Sequence, residues 1–171
     1  MALADPRWPR IFSTPFVCAV ATLGPLGRRL PAPGTWGSLA GLLYFAALFR
    51  YSRWEVIFAW TVLLGYVAVA FCGDAARRLG KNDPGEVILD EFVVMPLVFL
   101  GWRAGWLAAW SPWVVLLAGF GFFRLYDIAK PFGIARLQRW PGGWGIVIDD
   151  FAAALVACGS LHLTAWLWTW R

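Results

Sequence analysis

Apolar residues gather into five long stretches separated by short polar segments, at residues 36–49, 54–73, 87–101, 104–123 and 146–168. The second, fourth and fifth have the ~20 residues that a helix needs to cross about 30 Å of hydrocarbon. The first and third are shorter. They are expected either as helices shielded by the longer three or as crossings of a locally thinned bilayer. Residues 12–23 read as a further short helix that enters the membrane or lies along its surface. Pro15 interrupts that run, and Gly24-Pro25 ends it before any small-residue cleavage site. Tryptophans mark many of the ends, at Trp36, Trp54, Trp102, Trp106, Trp144, Trp166, Trp168 and Trp170, as in an interfacial belt. No internal repeat stands out. The pattern predicts an all-α, polytopic membrane helical bundle with about five membrane-embedded helices and a short N-terminal helix, in one domain over residues 1–171.

Composition supports this reading. Of 171 residues, 60% are hydrophobic and 15% are charged, and mean hydropathy is +0.63. Soluble chains carry about 25% charged residues. The net charge of +5 calls for an anionic neighbour, either lipid head groups or an anionic substrate. Nucleic acid is not expected, because the basic residues are scattered between apolar runs. With five crossings, Arg7, Arg10, Arg28, Arg29, Arg77, Arg78, Lys81, Arg124, Lys130, Arg136 and Arg139 share one side. Only Arg50, Arg53, Arg103 and Arg171 fall on the other. The positive-inside rule assigns the first side to the cytoplasm.

The acids sort the same way. Asp74, Asp83, Asp90, Glu91, Asp127, Asp149 and Asp150 all map to cytoplasmic ends, with Glu55 alone opposite. Four carboxylates (Asp83, Glu86, Asp90 and Glu91) fall within nine residues of a chain that has ten. A carboxylate carried into an apolar helix is costly unless a cation or hydrogen bonds meet it. Asp90-Glu91 and Asp149-Asp150 are each an acidic pair near the start of an apolar helix, where the helix dipole favours negative charge. Helix neighbours point about 100° apart, so each pair can send one ligand inward and one sideways. Two such helices packed together make an oxygen-rich site for a hard divalent cation, Mg²⁺ above all. The plainer alternative is helix capping and pairing with Arg77, Arg78 or Arg124.

Arg124, Asp127 and Lys130 step by three and so neighbour one another along one helix side. They form either an ion-pair ladder or a phosphate grip, with Arg124 and Lys130 on the phosphate and Asp127 orienting them or ligating metal. Pro131 stops that helix and fixes where Lys130 ends. Two glycine turns, Pro33-Gly34-Thr35-Trp36-Gly37-Ser38 and Pro141-Gly142-Gly143-Trp144-Gly145, each lead into a helix. Free N–H groups there can cradle an anion, and Thr35 and Ser38 add hydroxyls.

Other chemistries are missing. The single histidine, His162, lies deep in the last stretch, so phosphate transfer through histidine is not expected. Cys18, Cys72 and Cys158 sit apart in apolar surroundings and read as small buried hydrophobes. Cys72 and Arg78 have the Cys-x5-Arg spacing of cysteine phosphatases, but at the end of an apolar helix rather than in a strand-to-helix loop. No Walker-type or dinucleotide-type glycine motif occurs.

Four motifs occur in order: Pro33-Gly34-Thr35-x-Gly37-Ser38, Asp83-Pro84-Gly85-Glu86-x-x-x-Asp90-Glu91, Arg124-x-x-Asp127-Ile128-x-Lys130-Pro131 and Gly142-Gly143-x-Gly145-x-x-x-Asp149-Asp150. Together they resemble the phosphatidylglycerophosphatase A family of bacterial lipid phosphatases, over about residues 22–154. The family often has Gly shortly after its Asp-Glu pair, where this chain has Val94. The resemblance implies Mg²⁺-dependent removal of the terminal phosphate from phosphatidylglycerophosphate, giving phosphatidylglycerol at the cytoplasmic membrane. On this expectation a subset of Asp90, Glu91, Asp149 and Asp150 holds Mg²⁺, with Asp83 or Asp127 as further candidate ligands, and Thr35, Ser38, Arg124 and Lys130 bind the phosphate. A carboxylate outside the metal set serves as general base or, alternatively, an aspartate takes the phosphoryl group. The rival reading is a small ion transporter or channel with acids at its cytoplasmic mouth. Such a path should carry ionisable groups through the membrane depth, and here only His162 lies there.

Overall fold

The computed structural model describes residues 4–103 and 105–170, so Ala104 and Arg171 of the sequence expectations lie outside the described residues. All regular structure among the described residues is helical. Eight α-helices follow in order: α1 Thr14–Ala21, α2 Leu26–Arg29, α3 Pro33–Tyr44, α4 Trp54–Leu79, α5 Leu89–Val94, α6 Pro112–Ala129, α7 Ile134–Leu137 and α8 Gly143–Trp168. Three of them, α4, α6 and α8, are long and apolar enough to cross a membrane. They fall on the three long stretches of the sequence.

The two shorter stretches behave differently. The first begins earlier than its hydrophobicity signals, with Pro33 inside the first turn of α3, and finishes as a π-helical turn at Phe45–Phe49. The third is only six residues of α-helix, continued by a 3-10 segment at Met95–Phe99. Together these rise about 19 Å, short of a hydrocarbon core. Pro96 explains the break. It has no N–H to continue the ladder, and its ring meets the carbonyl four residues back. This segment is deeply enclosed, with Met95, Leu97, Val98 and Phe99 fully buried. The fourth stretch also starts later than its apolar run, because a separate 3-10 turn at Gly105–Ala109 precedes Ser111-Pro112 and α6.

Helix α8 packs against both α4 and α6, and α3 lies on α5. The α5 segment joins two core clusters. Leu89 and Val93 face the one built from α1, α4 and the start of α8, while Val94 and Met95 face the one around α6 and the rest of α8. Close approach of α3 to α5 comes from glycines at helical spacing. A Cβ on Gly37 would lie 2.9 Å from both Cβ and O of Ile88, and one on Gly41 would lie 2.7 Å from the Phe92 carbonyl oxygen. Small residues on one helix stripe allow backbones this near. The segment Pro33 to Ser38, expected as a turn leading into a helix, is itself the opening of α3, and Gly37 within it is part of the packing surface.

Candidate metal and phosphate site

Helix α5 starts at Leu89, so Asp90 and Glu91 occupy its first turn, where the dipole favours carboxylates. Helix α8 starts at Gly143, which puts Asp149 and Asp150 about two turns in, deeper than the sequence pattern indicates. The packing of α5 on α8 brings the two acidic pairs together. Asp90, Glu91 and Asp150 each offer a carboxylate oxygen, and these atoms lie within 4.8 Å of one another. Asp90 and Asp150 are buried, at 5% and 4% exposure. Three carboxylates this close repel one another unless a cation stands between them. Asp90 Oδ1 and Glu91 Oε2 are buried without a hydrogen-bond partner. Orphaned acceptors in an oxygen-only donor set fit a hard divalent cation.

The second member of the α8 pair does something else. Lys130 caps α6 in the left-handed region (φ 44°), ahead of Pro131, and its ammonium donates to Asp149 Oδ2 at 2.5 Å. Burial pulls the Lys130 ammonium down, but the Asp149 carboxylate outweighs it and holds the group above its usual range. Asp149 is thus outside the three-carboxylate group, although its Oδ1 is also buried and unpartnered. Asp83 lies further out, exposed, accepting from Gln138 Nε2 at 2.6 Å.

Arg124 forms the opposite wall. Its guanidinium donates to Asp127 Oδ2 at 2.5 Å and to Ser38 Oγ at 3.3 Å, and stands 4.0 Å from Glu91 Oε1. Ser38 is fully buried and donates to the Gly34 carbonyl at 2.7 Å. Its hydroxyl therefore positions Arg124 rather than lining an open phosphate site. Thr35 sits half-buried on the first turn of α3 beside Gly34. A Cβ on Gly34 would displace Glu91 Oε1 and lie 3.2 Å from an Arg124 nitrogen, so the glycine lets both charged ends sit against α3.

The second glycine motif opens α8. Gly142 caps α8 with φ 60°, and the Gly143 N–H donates to Asp5 Oδ1 at 2.9 Å. An acid from the N-terminal segment thus holds the position expected for a ligand anion. Sequence reasoning missed Asp5 and Gln138. Both act through contacts over more than fifty residues, and neither belongs to a motif.

The arrangement sets two cations, Arg124 and Lys130, beside an oxygen-only group of acids, which suits binding and polarising a phosphate ester. The family profile described as Phosphatidylglycerophosphatase A matches residues 19–165. The chain is 37% identical over 128 residues to Phosphatidylglycerophosphatase A of Haemophilus influenzae, covering 74% of this chain and 75% of that one. It is 33% identical over 138 residues to Phosphatidylglycerophosphatase A of Escherichia coli, covering 80% of this chain and 76% of the relative. No solved structure matches it. With the profile running from α1 to near the end of α8 and taking in both acidic pairs, the chain belongs to the phosphatidylglycerophosphatase A family.

Proposed function

We propose that this protein removes the terminal phosphate of phosphatidylglycerophosphate, releasing inorganic phosphate and leaving phosphatidylglycerol, with Mg²⁺ as its cofactor. The observation that carries the reading is the group of Asp90, Glu91 and Asp150 oxygens, close together, buried and short of donors. These three residues hold the cation, which when bound supplies a Lewis acid at the phosphoryl oxygens. Arg124 and Lys130 neutralise the remaining phosphate oxygens as charge develops. Asp127 and Ser38 aim Arg124, and Asp149 aims Lys130. Asp149 keeps one oxygen without a donor, and that oxygen takes the proton of the attacking water.

The chain forms one domain in the bacterial cytoplasmic membrane, with the site toward the cytoplasm. Helices α4, α6 and α8 cross it in full, and the shorter segments of α3 and α5 are embedded between them where the bilayer is locally thinned. Support comes from the convergence of the first turns of α3 and α5, the end of α6 and the early turns of α8 on one polar site. The excess of Lys and Arg on the same side agrees with this orientation.

The test is phosphate release by purified protein in detergent micelles, from phosphatidylglycerophosphate and from phosphatidate, with Mg²⁺ and with a chelator. Release from the first lipid that needs Mg²⁺ and stops on chelation is the expected result. Release that continues in chelator overturns the metal assignment. A folded protein that releases phosphate from neither lipid overturns the substrate.

A further inference from the structure

A polar cavity of about 670 Å³ lies where the end of α4 meets the segment leading into α8. Arg77, Lys81, Asp83, Gln138, Arg139 and Ile146 are among the residues lining it. That volume is typical of a small-molecule site. Its position ties it to the acid group: Ile146 precedes Asp150 by four residues on α8, a rise of about 6 Å. The Asp83–Gln138 hydrogen bond forms part of its wall.

Three cations, Arg77, Lys81 and Arg139, line the cavity together with two acids, Asp5 and Asp83. Arg77 is bound to Asp74, and Lys81 donates to Glu86 at 2.9 Å, but both are more than half exposed and keep donors to spare. Arg139 is exposed and has no acid partner among the described residues. The inner wall already accepts one anion, since Asp5 lines the cavity and receives the Gly143 N–H.

A lipid bearing a phosphorylated glycerol head has two phosphates separated by three carbons. One is the terminal monoester, and the other is the diester that joins the head to the lipid and survives the reaction. The group around Asp90 and Arg124 accounts for the first and leaves the second without a cation. We propose that this cavity holds the diester phosphate, with Arg139 and Lys81 as the specificity-determining contacts. The inference rests on the phosphatase reading above. Each contact is a charge-assisted hydrogen bond to a phosphate oxygen. A phosphatase so built prefers two phosphates at this spacing over a lipid with one.

The experiment compares kinetics of wild-type protein, Arg139→Ala, Lys81→Ala, Arg139→Lys and Arg136→Ala on phosphatidylglycerophosphate in mixed micelles. Arg136 is exposed on α7, three residues before Arg139, but does not line the cavity. It controls for lost attraction to an anionic surface. The expected result is a rise of about tenfold in KM for each cavity variant, with kcat kept within about twofold. Arg139→Lys recovers part of the loss, and Arg136→Ala stays at the wild-type value. Unchanged KM in both cavity variants overturns the inference, as does an equal rise in Arg136→Ala. A wild-type protein inactive on this lipid strikes the phosphatase reading instead, which separates the two failures.

Discussion

Two sets of buried carboxylates sit at the same end of the bundle and meet the cost of burial in opposite ways. Asp74, on α4, is 4% exposed and has both oxygens occupied: Arg77 binds Oδ1, and Arg78 Nε binds Oδ2 at 2.7 Å. Arg78 then reaches on to Thr14 Oγ1 at 2.8 Å and the Phe12 carbonyl at 3.0 Å, so the acid also fastens the N-terminal segment to α4. Asp90 and Asp150 are as enclosed and Glu91 nearly so, but their nearest cations are committed elsewhere, Arg124 to Asp127 and Lys130 to Asp149. A carboxylate whose charge is answered inside the protein is part of the scaffold. One left unanswered is held ready for a ligand, at a cost in stability that the scaffold must bear.

The sharpest way to break this comparison is to neutralise one acid of each kind. Asp90→Asn or Asp150→Asn should cut kcat about a thousandfold or more. Helical circular dichroism should be unchanged, and the thermal midpoint in detergent equal or higher, because a repelling charge is gone. Wild-type turnover in either variant would remove the basis of the metal assignment. Asp74→Asn should do the reverse, keeping activity per folded molecule within a few-fold while costing about 2–3 kcal/mol of stability. That loss is below what a fully enclosed pair gives up, since Arg77 is half in solvent. An inactive but fully stable Asp74→Asn protein would show that the two sets are one. The smallest effect expected is for Gly37→Ala, which touches the wall between α3 and α5 without changing any charge. Its Cβ meets backbone, so it should cost about 1–2 kcal/mol in thermal stability and loosen the placement of Glu91.

Much of the candidate site was legible because acids in apolar helices are rare enough to be noticed. Asp90, Glu91 and Asp150 stood out on that ground, and the three-residue step of Arg124, Asp127 and Lys130 put a cation pair beside them. Hydropathy marked α4, α6 and α8. It was less informative where a residue has two neighbours to choose between. Asp149 and Asp150 are equivalent in the sequence, and only the packing of α6 on α8 gives the first to Lys130 and the second to the acid group. Ser38 looked like a ligand hydroxyl and is instead turned inward to Gly34 and Arg124. The short α5 was readable in hindsight from Pro96, a local signal that the apolar run around it masked. Asp5 and Gln138 had no local signal, because their partners lie 138 and 55 positions away.

The bond between Asp5 and Gly143 also bears on how the chain is made. A protein emerging from the ribosome and entering a membrane forms its early contacts first, and this one joins the fifth residue to the opening of the last long helix. The Ala4 carbonyl, which accepts from Trp144 Nε1 at 3.4 Å, belongs to the same junction. The first residues therefore wait, unattached at this point, until nearly the whole protein has been synthesised, and their docking is among the last events of assembly.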